Sequence, residues 1–128
     1  FAAEGAKVIL ADIHQVNIEA VAQDIKSNGG QALCFAADIS RETDVKLLID
    51  FTVQNYKTLD ILVNNAGVMD NFTPVEDVSD ALWKKVMGVN LNAAFYTCRS
   101  AIKIFLEKKT GIIINIASIG GLFGGRAG

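Results

Sequence analysis

DILVNNAGVMDN, residues 60–71, opens as a buried strand and then changes character within two positions. Ile61, Leu62 and Val63 run straight into Asn64 and Asn65, followed by Ala66 and Gly67. Asparagine is a poor strand former, so a hydrophobic strand that stops on an asparagine pair is either closing in a tight turn or presenting hydrogen-bonding groups at its end. The rest of the chain distinguishes the two.

Working outward, three further apolar runs have the same look. Lys7–Asp12 (KVILAD) lies between Gly5 and an acidic residue, QALCFAAD runs from Gln31 to Asp38, and IIINIAS covers Ile112–Ser118. Between the first two, Ile18, Val21, Ala22 and Ile25 fall at i, i+3, i+4 and i+7, which predicts an amphipathic helix ended by Asn28-Gly29-Gly30. A second helix is predicted with Ser40 as its cap, Glu42 in its first turn, and Val45, Leu48, Ile49, Val53 and Tyr56 on one face. Beyond Pro74, the only proline, Ser79 is placed to cap a helix through Trp83. A longer helix follows, with Asn90 in or just before its start; it reaches Lys108 and is stopped by Gly111. Strands thus alternate with helices every 25–35 residues or about that, as continuous apolar runs, which predicts an α/β fold with a parallel sheet covered by helices on both faces.

In open parallel α/β sheets, ligands bind beyond the carboxyl ends of the strands. Those ends carry Asp12, Asp38, Asn64-Asn65-Ala66-Gly67 and Ser118. Any one of them could be a turn residue, but polar or small residues at the end of every strand are what a binding crevice requires. A carboxylate at Asp12 can accept hydrogen bonds from ribose hydroxyls and would repel a 2′-phosphate, since like charges in close apposition cost several kcal/mol. That favours NAD and disfavours NADP. His14, the only histidine, has no assigned role. No GxGxxG or GxxxxGK[ST] phosphate loop occurs, GGLFGG included.

The composition fits one soluble domain: 51% of the 128 residues are hydrophobic, and the net charge is −2. It offers no basic stripe for nucleic acid, no run of membrane-spanning length and no metal-ligand cluster. Cys34 and Cys98 stand apart among apolar residues and read as reduced core thiols, which fits a cytoplasmic protein. FAAEGAK reads as the last turn of a helix capped by Gly5, and the chain stops within GGLFGGRAG, so both ends are expected to be cut from a longer polypeptide.

LVNNAG, then VNL about two dozen residues on, then INIAS, closely resembles the classical short-chain dehydrogenase/reductase family, and GAKVILAD and AADIS resemble its second and third strand ends. The resemblance covers essentially the whole chain. It implies a Rossmann-like, doubly wound parallel sheet ordered 3-2-1-4-5-6-7, of which residues 1–128 would supply strands two to five as a partial NAD(P)-binding domain, without the first strand and the C-terminal part. It implies an NAD(P)-dependent oxidoreductase interconverting a secondary alcohol and a ketone, 3-oxoacyl reductase-like or a related carbonyl reductase. Asn64, Asn65, Ala66 and Gly67 would line the nicotinamide-side ribose, and Asp38 and Ile39 would border the adenine. Asn90 would support a proton relay through a bound water, and Ser118 would hydrogen-bond the substrate carbonyl. The asparagine amides would tie neighbouring backbone groups together without adding charge, where aliphatic residues would leave them unpaired at roughly 1–3 kcal/mol each. The helix Leu91–Lys108 would build a homodimer or homotetramer interface.

The sequence departs from the family pattern in two places. Ala93 stands where glycine is common. The tyrosine and lysine that move the proton are expected roughly a dozen residues after the serine, but only ten residues follow Ser118, none of them Tyr or Lys. General acid–base help contributes about 10²–10⁴-fold, so these 128 residues alone are expected to be inactive. Without the central first strand they are also expected to be unstable, with unpaired strand edges. The alternative is a catalytically incomplete dinucleotide-binding or sensing module.

Overall fold

The computed structural model describes residues 1–120; the glycine-rich end at 121–128, including the interrupted terminus expected above, lies outside the described residues. The chain divides into two compact units, Phe1–Leu59 and Asp60–Gly128.

In the first unit a single turn of 3₁₀ helix, Ala2–Glu4, closes on Gly5 in the left-handed region (φ 86°), whose N–H donates to the Ala2 carbonyl. Strand β1 (Lys7–Asp12) pairs in parallel with β2 (Gln31–Ala36), Lys7 opposite Gln31 and Asp12 opposite Ala36. Helix α1 (Gln15–Ser27) makes the crossover, and α2 (Glu42–Tyr56) follows β2. The core is built from small and β-branched residues: Ile18 and Ala22 of α1, Ala32 of β2, Ala37, and Val45, Ile49 and Thr52 of α2. The Phe35 and Phe51 rings meet in a tilted contact, 5.0 Å between centroids. The Cys34 thiol donates to the Ile18 carbonyl at 3.2 Å, fastening β2 to α1, and both cysteines are free.

The second unit pairs β3 (Ile61–Asn64) in parallel with β4 (Ile112–Asn115), Ile61 opposite Ile112 and Asn64 opposite Asn115. Helix α3 (Asp80–Met87) starts at Ser79, whose hydroxyl accepts the Leu82 N–H, and runs one turn past the expected Trp83. It continues without a break into a π-helical segment, Gly88–Asn92, and then α4 (Ala93–Lys108). Lys108 forms an ion pair with Asp60, tying the end of α4 to the start of β3.

Several expectations are corrected. Ser40 does not cap α2: Arg41 is the cap residue, with no side-chain cap bond, because the Asp38 carboxylate takes both the Ser40 N–H (3.0 Å) and its hydroxyl (2.6 Å). Asp44, in the first turn, accepts the Asp38 N–H instead (3.1 Å). Gly111 does not end α4; Lys109 adopts the left-handed conformation (φ 58°) and the Thr110 N–H reaches back to the Phe105 carbonyl, a Schellman-type closure. Gly111 is instead a close-packing position, since a Cβ there would lie 2.1 Å from the Phe105 ring. Val21 is exposed, at the margin of the α1 stripe rather than in it. The α/β fold with parallel strands is as expected; in the second unit Ile61, Val63 and Ile112 are exposed on the face of β3 and β4 away from α4.

Candidate functional site

In a strand, alternate residues share a face, so Asn64 points with Leu62 toward α4, and its in-register neighbour Asn115 shares that face. The two side chains meet: Asn64 Nδ2 donates to Asn115 Oδ1 at 2.8 Å. Its second proton lies toward Cys98 Sγ at 3.4 Å, and its Oδ1 accepts from the Thr97 hydroxyl at 2.7 Å. The Asn64 amide therefore links three side chains from α4 and β4, rather than tying backbone groups as the sequence suggested. The strand ends stay neutral, since every group in this cluster is uncharged.

Past the strand, Asn65, Ala66 and Gly67 are exposed. The chain is then caught by Asn90, whose Oδ1 accepts the Val68 N–H and whose Nδ2 donates to the Val68 carbonyl, both at 2.8 Å. A primary amide is one of the few side chains that can satisfy a donor and an acceptor of the same residue together. Asn90 sits inside the π-helical segment, where the Ala93 N–H bonds back to the Gly88 carbonyl five residues earlier. Such single π turns recur at functional sites. A Cβ on Gly67 would meet only Asn90 Oδ1, at an ordinary 3.6 Å, so the space beside this glycine is open among the described residues.

Ser118 lies three residues beyond β4 and is exposed. Its Oγ accepts the Gly120 N–H at 3.1 Å, and among the described residues no acceptor takes the hydroxyl proton.

The first unit carries the remaining sequence-predicted residues. Asp12 ends β1, with Oδ1 accepting the His14 N–H at 2.8 Å and Oδ2 unpartnered among the described residues. Asp38, two residues past β2, spends Oδ1 on Ser40 and sets Oδ2 3.8 Å from Arg41 Nε. Ile39 is half-buried in the following turn. The hydrogen bond from Arg41 holds the Asp44 carboxyl below the usual carboxylate range, and the same pairing raises Arg41.

Asn64, Asn90 and Ser118 thus belong to the second unit, and Asp12, Asp38 and Ile39 to the first. The sequence reading missed Thr97 and Asn115. Asn115 was visible as the residue in register with Asn64 once the two strands were paired. Thr97 reads from sequence as one more helix residue. Among the described residues no group of metal-binding side chains occurs, and no helix is long and apolar enough to cross a membrane.

The family model for short chain dehydrogenase matches residues 1–128. A 3beta-hydroxysteroid dehydrogenase 2 from Eggerthella lenta is 38% identical over 129 residues, covering 100% of this chain and 50% of its own length. A cyclohexanol dehydrogenase from Acinetobacter is 33% identical over 123 residues, covering 96% and 49%. The crystal structure of a metagenomic short-chain oxidoreductase in complex with NADP superposes with a TM-score of 0.90 at 31% identity, covering 94% of this chain and 54% of that one. The chain spans about half the length of these relatives.

Proposed function

The chain belongs to the short-chain dehydrogenase family, and on that premise we propose that the intact protein is an NAD(P)-dependent oxidoreductase interconverting a secondary alcohol and a ketone. One observation carries the reading. The paired ends of β3 and β4 are locked by neutral side-chain amides and lead, on one side, to a glycine with open space beside it and, on the other, to an exposed serine whose hydroxyl proton has no acceptor among the described residues.

Each unit carries groups suited to part of a dinucleotide. In the second, Gly67 leaves room for a group to approach closely and the neutral ends of β3 and β4 put no charge beside a nicotinamide; in the first, Asp12 Oδ2 offers an acceptor to ribose hydroxyls. When bound, the cofactor supplies the hydride acceptor or donor. Ser118 orients and polarises the carbonyl oxygen by donating its hydroxyl proton as a hydrogen bond. Asn90 fixes the chain after Gly67 through Val68 and supports the proton relay from the π-helical segment. No residue of this chain is assigned the proton-donor role.

Asp12 selects NAD over NADP in this reading by repelling a 2′-phosphate. The relative solved with NADP makes that phosphate the group to test. Asp12→Ala is expected to raise the NADP:NAD ratio of kcat/KM by at least ~10-fold, a change of about 1.4 kcal/mol; an unchanged ratio removes Asp12 from cofactor selection. The relatives named for a 3beta-hydroxysteroid and for cyclohexanol put ring-borne secondary alcohols first in the substrate panel, with 3-oxoacyl thioesters as the other class. The exposure of Phe95, Ile102 and Leu106 on α4, in line with Leu91, supports a homodimer or homotetramer contact through this helix.

The test is turnover by the intact protein with and without Ser118→Ala. Loss of kcat with cofactor affinity retained supports the assignment. Cofactor binding with no turnover in the unmodified protein would favour the sensing-module alternative.

A further inference from the structure

Thr97 is one of two buried polar residues among those described, 4% exposed, and it sits where α4 crosses β3. Its hydroxyl has three oxygen neighbours: Asn64 Oδ1 at 2.7 Å, the Ala93 carbonyl at 3.0 Å and the Ala94 carbonyl at 3.1 Å. A hydroxyl has one proton to give. The shortest contact, with the Asn64 amide oxygen, directs it there, and the two carbonyls hold the hydroxyl from the helix side.

That choice propagates. With Oδ1 fixed by Thr97, Asn64 must present both amide protons to the other side, where Asn115 Oδ1 and Cys98 Sγ receive them. The backbone follows the same path, since the Asn64 carbonyl accepts the Ile116 N–H at 2.9 Å, two residues before Ser118. On the helix side, Ala93 is also the residue whose N–H closes the π turn on Gly88, and Asn90 lies within that turn.

We propose that Thr97 is a positioning residue: its hydroxyl sets the Asn64 amide and so joins the strand end leading to Ser118 with the helical segment carrying Asn90. The proposal rests on the dehydrogenase reading for its catalytic consequence, while its structural consequence stands apart from it. Replacing the hydroxyl by a methyl, in the near-isosteric Thr97→Val, leaves Asn64 Oδ1 facing carbon. The amide is then free to reorient, and the register it imposes on the two halves of the site is lost. Thr97→Ser keeps the hydroxyl.

Both variants are made in the intact protein. Thr97→Val is expected to lower kcat by at least ~10-fold with KM for alcohol and cofactor changed less than ~3-fold, and Thr97→Ser to stay within ~3-fold of the unmodified kcat. Amide hydrogen exchange supplies a readout independent of turnover. In Thr97→Val the Val68 and Ile116 amides exchange faster by at least ~10-fold, while the Lys57 amide in the first unit, bonded to the Val53 carbonyl, keeps its rate. Unchanged exchange at Val68 and Ile116 overturns the proposal. So does uniform acceleration at all three amides, which marks plain destabilisation, or a serine variant as impaired as the valine one. If the unmodified protein turns over no alcohol or ketone, the dehydrogenase reading fails, and the exchange pattern still decides the role of Thr97.

Discussion

Asn90→Asp changes one atom of the clamp on Val68 and leaves its shape intact. Oδ1 still accepts the Val68 N–H, but an oxygen replaces Nδ2 at 2.8 Å from the Val68 carbonyl. One hydrogen bond is lost, about 1 kcal/mol at this exposed position. A carboxylate oxygen then faces a carbonyl oxygen with no proton between them, which adds about 1–2 kcal/mol. Asn90→Ala loses both bonds but lets water replace them, for a total of about 1–2 kcal/mol. At neutral pH the aspartate is therefore the more damaging change, despite being the closer mimic. If the clamp must hold in the transition state, about 2–3 kcal/mol appears as a fall of roughly 30- to 150-fold in kcat/KM. The introduced carboxyl has its folded-state pKa raised by the opposing carbonyl, so its protonated form can again donate to Val68. Its contribution is complete below the ordinary carboxylate value near 4 and is lost as pH rises through the raised folded value. Exchange of the Val68 amide, expressed as a ratio to unmodified protein at each pH, should return toward one on acidification for Asn90→Asp and stay flat for Asn90→Ala. An aspartate variant that matches the unmodified protein at pH 7, or an alanine variant that is worse at every pH, would rule out the Val68 clamp as described.

Gly67→Ala should fold normally, its Cβ meeting only Asn90 Oδ1 at 3.6 Å, yet bind cofactor at least ~10-fold more weakly by calorimetric titration, or about 1.4 kcal/mol; unchanged affinity removes Gly67 from the cofactor site. Gly111→Ala should do the reverse. Its Cβ would sit 2.1 Å from the Phe105 ring, so overpacking of about 1–3 kcal/mol should lower Tm by several degrees, and Phe105→Leu in the same chain should recover part of the loss. Asp44 is held below its ordinary range by the Arg41 hydrogen bond. Its contribution is present above about pH 4 and is lost as pH falls through the lowered folded value, so Asp44→Asn should flatten the acid limb of the stability profile; an unchanged acid limb would contradict the pairing.

The strand pattern was legible because it is local. KVILAD is bracketed by Gly5 and an acidic residue, and β1 has the expected bounds, Lys7–Asp12. The asparagine pair after β3 pointed to a polar strand end, but the partners of Asn64 lie 33 to 51 residues away in sequence, where no local rule reaches. Ser40 was assigned to the helix cap because its type and spacing suit a cap, and the nearer Asp38 carboxylate outcompeted the helix for it. Helix α4 shows the same limit. Its larger apolar residues drew attention, yet the buried positions are Ala93, Thr97 and Ala101, four apart, because small side chains let the helix approach β3 closely, while Phe95, Ile102 and Leu106 point outward. The π turn around Asn90 has no sequence signature of its own; only the Ala93-to-Gly88 bond reveals it.

Isotope transfer decides whether hydride passes to the cofactor in the intact protein. The intact protein is incubated with NAD and a ring-borne secondary alcohol carrying deuterium on the carbinol carbon, and the reduced cofactor is examined by mass spectrometry. One deuterium should be transferred per ketone formed, without loss to solvent, at a rate that collapses in Ser118→Ala. Cofactor bound but never labelled, or label exchanged with water, would contradict hydride transfer.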